Sequence, residues 1–231
     1  MNPLPSSALP APALAVSWPT LLTQRMRYLW WLKFLGVCVF MWLFFIGYFH
    51  TLRHPLRDIA LMPLTWIDHA VAFQPQALWV YVSLWLYVGV APGLLSSFRG
   101  LLLYTMWIGA LCLTGLACFY FWPTAVPRPT IDGSAYPGFA LLQGVDAAGN
   151  ACPSLHVATA AFTALWVEHV LRLIGAPAWL RACNGLWVGA IVWSTLATKQ
   201  HVAWDVAGGL LLAAVFATLS LAERRSEPRP A

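Results

Sequence analysis

Three short clusters carry the residues able to do chemistry: Val126-Pro127-Arg128-Pro129, Cys152-Pro153-Ser154-Leu155-His156, and the run STLATKQHVAWD from Ser194 to Asp205. His201 and Asp205 are four apart, so on one helix they share a face. A carboxylate there can take a proton from one ring nitrogen, fix the tautomer and leave the other nitrogen free to attack. A helix beginning at Pro153 or Ser154 presents free backbone N–H groups and a positive dipole end, which suits an anion. Ser154 adds a hydroxyl there, and His156 sits in the first turn. Arg128 and Lys199 supply positive charge from neighbouring segments. An anion cradle, a nucleophile with its orienter and a second histidine describe phosphoryl transfer better than acyl transfer.

Each element also has a plainer reading. A histidine four before an aspartate is common by chance, Ser154 can be only a helix cap, and Arg128 and Lys199 can be interfacial anchors. His156 alone reads as a satisfied polar residue. Their joint occurrence on one side of a membrane is what favours function, because polar side chains at membrane depth are costly. Glu168, His169 and Arg172 read as a local ion-pair group at the opposite end, and the spacing of His50, His54, Asp68 and His69 assigns them no role. Two other classes compete. His156, His201 and Asp205 are chemically suited to zinc, although Arg128 and Lys199 are poor neighbours for a cation; the expectation is no metal and no cofactor. A transporter or non-catalytic bundle partner on the same fold is the other.

These clusters must be positioned by membrane helices. The chain has 231 residues, 60% hydrophobic and only 9% charged, with 14 Trp, against about 25% charged in soluble domains. Apolar runs place six spans near 34–50, 77–96, 101–122, 154–174, 179–198 and 203–222. The expected fold is therefore all-α: a six-span bundle over 29–223, with a flexible tail over 1–28 and a short tail over 224–231. With an even number of spans, Arg25, Arg27, Lys33, Arg99, Arg172, Arg181, Arg224, Arg225 and Arg229 share the side of the termini. Arg53, Arg57, Arg128 and Lys199 lie on the other. Nine against four puts the termini in the cytoplasm and the three clusters outside, facing a periplasm if the membrane is a bacterial inner membrane.

Residues 59–73 are expected as an interfacial amphipathic helix, and 123–152, rich in Pro and Gly, as an irregular loop. The net charge of +5 sits at span ends, which points to anionic lipid rather than nucleic acid. Five cysteines, mostly in apolar runs, give no disulfide framework. The expected partners are the bilayer and a lipid substrate. Gly208-Gly209 permits close helix packing, within the bundle as readily as between subunits, so oligomeric state stays open.

At these clusters the chain resembles the type 2 phosphatidic acid phosphatase superfamily, related to vanadium haloperoxidases, whose motifs are K-x6-RP, PSGH and SR-x5-H-x3-D. Arg128-Pro129 matches the end of the first. Pro153-Ser154-Leu155-His156 matches the second with Leu155 in place of Gly. Ser194, His201 and Asp205 match the third at full spacing. The family's first-motif lysine falls at Phe121 and its third-motif arginine at Thr195, and Lys199 is the candidate replacement for one of them. The wording PSLH and TKQH, with Asp68, Gln74-Pro75, Tyr81 and Ser83, is similar to the inositol phosphorylceramide synthase branch. The resemblance implies a metal-independent lipid-phosphate phosphatase or head-group transferase. His201 would be the nucleophile, Asp205 its orienter and His156 the acid. Arg128, Lys199, Ser154, the Leu155 amide and Ser194 would hold the phosphate.

Overall fold

A computed structural model describes residues 16–127 and 150–225; Arg128 and most of the Pro/Gly-rich loop lie outside them. The chain is a helical bundle. Helix α1 is Trp18–Arg27 and α2 Trp30–Arg53. After strand β1 (Ala60–Leu61) come α3 (Trp66–Ala70), a 3₁₀ turn at Pro75–Ala77, and the short helices α4 (Leu78–Val82), α5 (Leu84–Tyr87) and α6 (Val90–Leu94). Then follow α7 (Phe98–Phe121), strand β2 (Thr124–Ala125), α8 (Leu155–Leu173), α9 (Ala178–Ala197) and α10 (Ala203–Arg225). Five of the six apolar runs thus form single helices close to the expected bounds. Helices α2, α7 and α10 are long and apolar enough to cross a membrane.

Differences from the sequence expectation have local causes. The second run is helical but broken at Ser83 and again at Val88-Gly89, where the backbone stays right-handed with ψ near −20°. Ser83 Oγ donates to the Val80 carbonyl at 2.5 Å, a back-bond that competes with the helix ladder. Trp18–Arg27, inside the segment read as a tail, is helical, with Pro at its first turn and Arg25 and Arg27 in its last, as helix-end preferences favour. Within 59–73 only Trp66–Ala70 is helical, because Thr65 and Asp68 start a helix there: Asp68 Oδ2 accepts from Thr65 N at 2.7 Å. A two-residue parallel ladder pairs Ala60–Leu61 with Thr124–Ala125, a small addition to the all-α expectation. Thr124 also receives the chain leading to α8, its carbonyl accepting from Ala151 N at 3.0 Å and its hydroxyl from Cys152 N at 2.9 Å.

Helix α8 is the centre. Twelve of its 19 residues are buried, including Phe162 and Trp166, and it packs on α10, α9, α7 and α6. Its first turn meets Gly209 of α10 through Ser154, Val157 and Ala158, and Ala213 and Ala217 of α10 are essentially buried in the same core. This every-fourth small-residue stripe brings two backbones together without large side chains between them. The closest approach is at Gly209, where an added Cβ would lie 2.5 Å from the Ser154 carbonyl oxygen. The Gly208-Gly209 pair therefore serves packing within the bundle, at Gly209. Farther along, Trp166 Nε1 donates to Ser220 Oγ at 3.0 Å, satisfying a buried indole.

Gly209→Ala should destabilise the protein by about 1–3 kcal/mol, the usual cost of overpacking. Gly189→Ala, where the added Cβ meets nothing within 4 Å, should leave the midpoint unchanged or slightly raised. Thermal unfolding of the two variants in detergent, read side by side, checks this.

Candidate active site

The site forms where two helices begin. Ser154 caps α8, its Oγ accepting from Val157 N at 3.2 Å, and its own N–H donates to the Asp205 carbonyl at 3.0 Å. Asp205, in the first turn of α10, caps in turn: its Oδ2 accepts from Val202 N at 3.1 Å. The start of α8 is thus bonded to the first turn of α10. Two sets of first-turn N–H groups and two positive dipole ends meet at this point, an arrangement suited to an anion.

His201 and Asp205 are both buried, with Nδ1 3.5 Å from Oδ2. That is an ion-pair distance but too long for a well-made hydrogen bond, and His201 Nδ1 and Asp205 Oδ1 are left unsatisfied. Asn150 Oδ1 is the other buried side-chain polar atom without a partner among the described residues. Buried unsatisfied atoms are rare and costly. Asn150 and His201 line one cavity of about 310 Å³ together with His156 and Tyr81. Two of the three described residues with an unsatisfied atom, Asn150 and His201, therefore line this cavity.

His156 is buried on α8, stacked on the Tyr81 ring with centroids 3.9 Å apart. Its Nε2 lies 3.0 Å from the Tyr81 carbonyl. A carbonyl only accepts, so Nε2 carries the proton, and Nδ1 is the nitrogen left to exchange protons with a ligand.

The turn into His201 is held from outside. Helix α9 ends with Lys199 N donating to Leu196 O and Gln200 N to Thr195 O, both 3.1 Å. This is a Schellman ending with Lys199 in the left-handed position that glycine usually takes (φ 56°). His201 N also reaches the Thr195 carbonyl, at 3.1 Å. Lys199 Nζ donates to the carbonyls of Asp68, at 2.8 Å, and Val71. Asp68 Oδ1 accepts from Ala203 N at 2.9 Å. Lys199 and Asp68 thus clasp α3 onto the turn on both sides of His201.

The remaining expected residues separate. The Ser194 hydroxyl is buried and donates to its own helix, to Ile191 O at 2.6 Å, so it supports α9 and offers no hydroxyl to a phosphate. Lys199, expected to bind phosphate, has its ammonium engaged by two carbonyls. Thr195 is buried and bonded to Val192 O, and Phe121 is an exposed aromatic at the end of α7; neither supplies a cation. Leu155 packs on α7 where Gly115 stands, whose Cβ would come 2.4 Å from the Leu155 side chain. Arg128 lies outside the described residues. Among those residues no group of three His, Cys, Asp or Glu side chains lies close enough to hold a metal ion. Cys152, beside the site, has its thiol pushed up to about 11 by burial, then by Asp205 and Cys118, so it stays protonated near neutral pH and is a poor nucleophile.

Asp68, Tyr81 and Asn150 were not legible as site residues. The Thr65-x-x-Asp68 capping pattern was readable, but it signals a helix start and not a clasp. Tyr81 acts through its carbonyl and carries no sequence signal. Lys199→Gly removes the clasp while keeping the left-handed turn, so it should lower turnover and leave the fold intact. Lys199→Ala also meets the left-handed penalty of about 1–2 kcal/mol and should lower the melting temperature further. Turnover and thermal midpoints of the pair separate the two effects.

The family model for the PAP2 superfamily matches residues 98–226, from α7 through α10. Comparison with curated proteins and with solved structures gave no match. The matched segment holds α8, the turn at His201 and Asp205, and the helix start that orients them, and it spans more than half of the chain: the protein belongs to the PAP2 superfamily.

Proposed function

We propose that this chain is an integral membrane lipid-phosphate phosphatase working through a phosphohistidine on His201. The observation that carries this reading is the buried His201–Asp205 pair, 3.5 Å apart, whose histidine lines the same cavity as His156. With Asp205 beside Nδ1, Nε2 of His201 attacks phosphorus. The P–O bond to the leaving group breaks as negative charge moves onto that oxygen, and His156 gives it a proton through Nδ1. The first-turn amides of α8 and α10, with Arg128, hold the equatorial oxygens, where fixed donors act most strongly. His156, now neutral, takes a proton from water as the water oxygen attacks phosphorus. The P–N bond breaks, and phosphate and His201 are released.

The site sits in a six-span bundle in this reading, with α8, α9 and the interrupted segment 75–94 completing the three long apolar helices. Both termini are cytoplasmic, and the site faces the outer side, the periplasm in a bacterial inner membrane. The wording PSLH and TKQH favours one second reading, transfer of the phosphoryl-linked head group to a lipid hydroxyl in place of water.

Phosphate release from a panel of lipid phosphates by purified protein is the test. His201→Ala should abolish it. His156→Ala should lower kcat by about 10²–10⁴-fold, the usual weight of a general acid, with the smallest loss on substrates with good leaving groups. Cys152→Ser should keep activity, and vanadate should inhibit without any effect of chelators. Full activity in His201→Ala overturns the mechanism; no release of phosphate but transfer to a labelled acceptor lipid moves the assignment to the transferase.

A further inference from the structure

Helix α2 is hydrogen-bonded to the bundle at its two ends, and in between only side chains such as Phe40 and Phe44 rest against the core. At one end Lys33 Nζ donates to the carbonyls of Arg25, at 2.7 Å, and Gly93, at 2.9 Å. Near the other, Asn150 Nδ2 donates to Tyr48 O at 3.0 Å and to Thr51 Oγ1 at 3.2 Å. Of its 24 residues only Lys33 and Thr51 are buried. The stretch from Lys33 to Tyr48 is roughly 22 Å long at the helical rise, and beneath it runs the cavity that ends at His156 and His201. Its α2 wall includes Phe40, Phe44 and Phe45, and its α7 wall Leu101, Tyr104 and Ile108. Leu102 and Thr105 line it and are exposed, so it opens sideways. The histidines and Asn150 lie at one end and the Lys33 ammonium at the other, and Tyr104, Thr105 and Thr159 add hydroxyl groups to an otherwise mainly apolar lining.

We infer that this slot takes one linear hydrocarbon chain of the substrate and gauges its length, with Gly36 and Lys33 marking the far limit. The inference rests on the proposed function, since the phosphate at His201 fixes where the chain begins. About 310 Å³ spread along roughly 22 Å is a narrow slot, suited to one chain and not a bundle of them. Its wall is mostly apolar, as hydrocarbon requires. A chain reaches it through the side opening without crossing water. A buried ammonium already held by two carbonyls is a poor neighbour for a methyl terminus, so the chain stops short of Lys33.

Gly36 lines the slot, and a Cβ added there meets nothing within 4 Å. Gly36→Phe therefore fills the far end from a position that tolerates a side chain. Full-length protein in detergent is assayed on hexyl, dodecyl and octadecyl phosphate. Wild-type kcat/KM should rise with chain length. Gly36→Phe should lower it for octadecyl phosphate by at least about tenfold, the low end of what one misfit methylene costs in an apolar pocket, and leave hexyl phosphate within about twofold. Equal effects at all lengths, or none, overturn the gauge. A non-hydrolysable octadecyl phosphonate with a terminal diazirine, photolysed with the wild type, gives a readout that needs no variant to fold. Labels should fall between Lys33 and Phe40; labels scattered over lipid-facing surfaces of α7 and α10 overturn the proposal. Absence of hydrolysis at every length, or hydrolysis that survives His201→Ala, is failure of the proposed function instead, and the phosphonate labelling still reports on the slot.

Discussion

The hydrogen bond from Ser154 N–H to the Asp205 carbonyl, 3.0 Å long, is the contact on which the site depends. It joins the start of α8 to the first turn of α10, and it forms only because Gly209 lets the α10 backbone come against the Ser154 carbonyl. A side chain at 209 would push the helix starts apart and carry His156 away from His201. In a membrane no burial of apolar surface from water drives helices together, so close packing of small residues must do it. Gly209, Ala213 and Ala217 supply that packing along α8. The chemistry at one end is held by the fit of backbones over the next two turns.

The second constraint is the turn that delivers His201. A lysine in the left-handed position is disfavoured by about 1–2 kcal/mol, and glycine would avoid that cost. Lys199 is retained there with its ammonium bonded to two carbonyls of the α3 region, so the side chain fastens what the backbone strains. Asp68 repeats the logic from the other direction. One carboxylate oxygen starts its own helix, and the other holds the Ala203 amide at the start of α10. His201 therefore sits between two fixed points, Lys199 and Ala203. The nucleophilic role proposed for His201 would require such restraint, because misplacement by about an ångström is costly in rate.

Much of this was legible from the chain, and the part that was not has a common cause. Five helices and the His201–Asp205 spacing follow from periodicity, since residues four apart must share a face. Ser154 as a cap is equally local. What local pattern does not encode is which backbone carbonyl a side chain finds. Lys199 was read as a phosphate ligand because a free cation near a histidine suggests that role, yet its partners lie more than a hundred residues earlier. Ser194 matched its motif position and turned its hydroxyl back to Ile191. The break at Ser83 was invisible for a related reason: the residue is ordinary in a helix unless its hydroxyl takes a backbone acceptor.

The departure at Leu155 shows how a motif can change one residue and keep its geometry. Where the superfamily pattern has glycine, the chain carries a bulky side chain in the first turn of α8. The room for it is made on the opposite helix, where Gly115 leaves the space that Leu155 fills. Leu155 and Gly115 are complementary in volume, and the Leu155 side chain is buried against α7. The same accounting applied to charge gives a different result. Neither Phe121 nor Thr195 carries a cation, and Lys199 is committed to the clasp. Under the proposed mechanism the load of stabilising a phosphoryl group would fall on Arg128 and on the aligned amides of two helix starts, whose partial charges are fixed in place and need no reorganisation as the bond breaks.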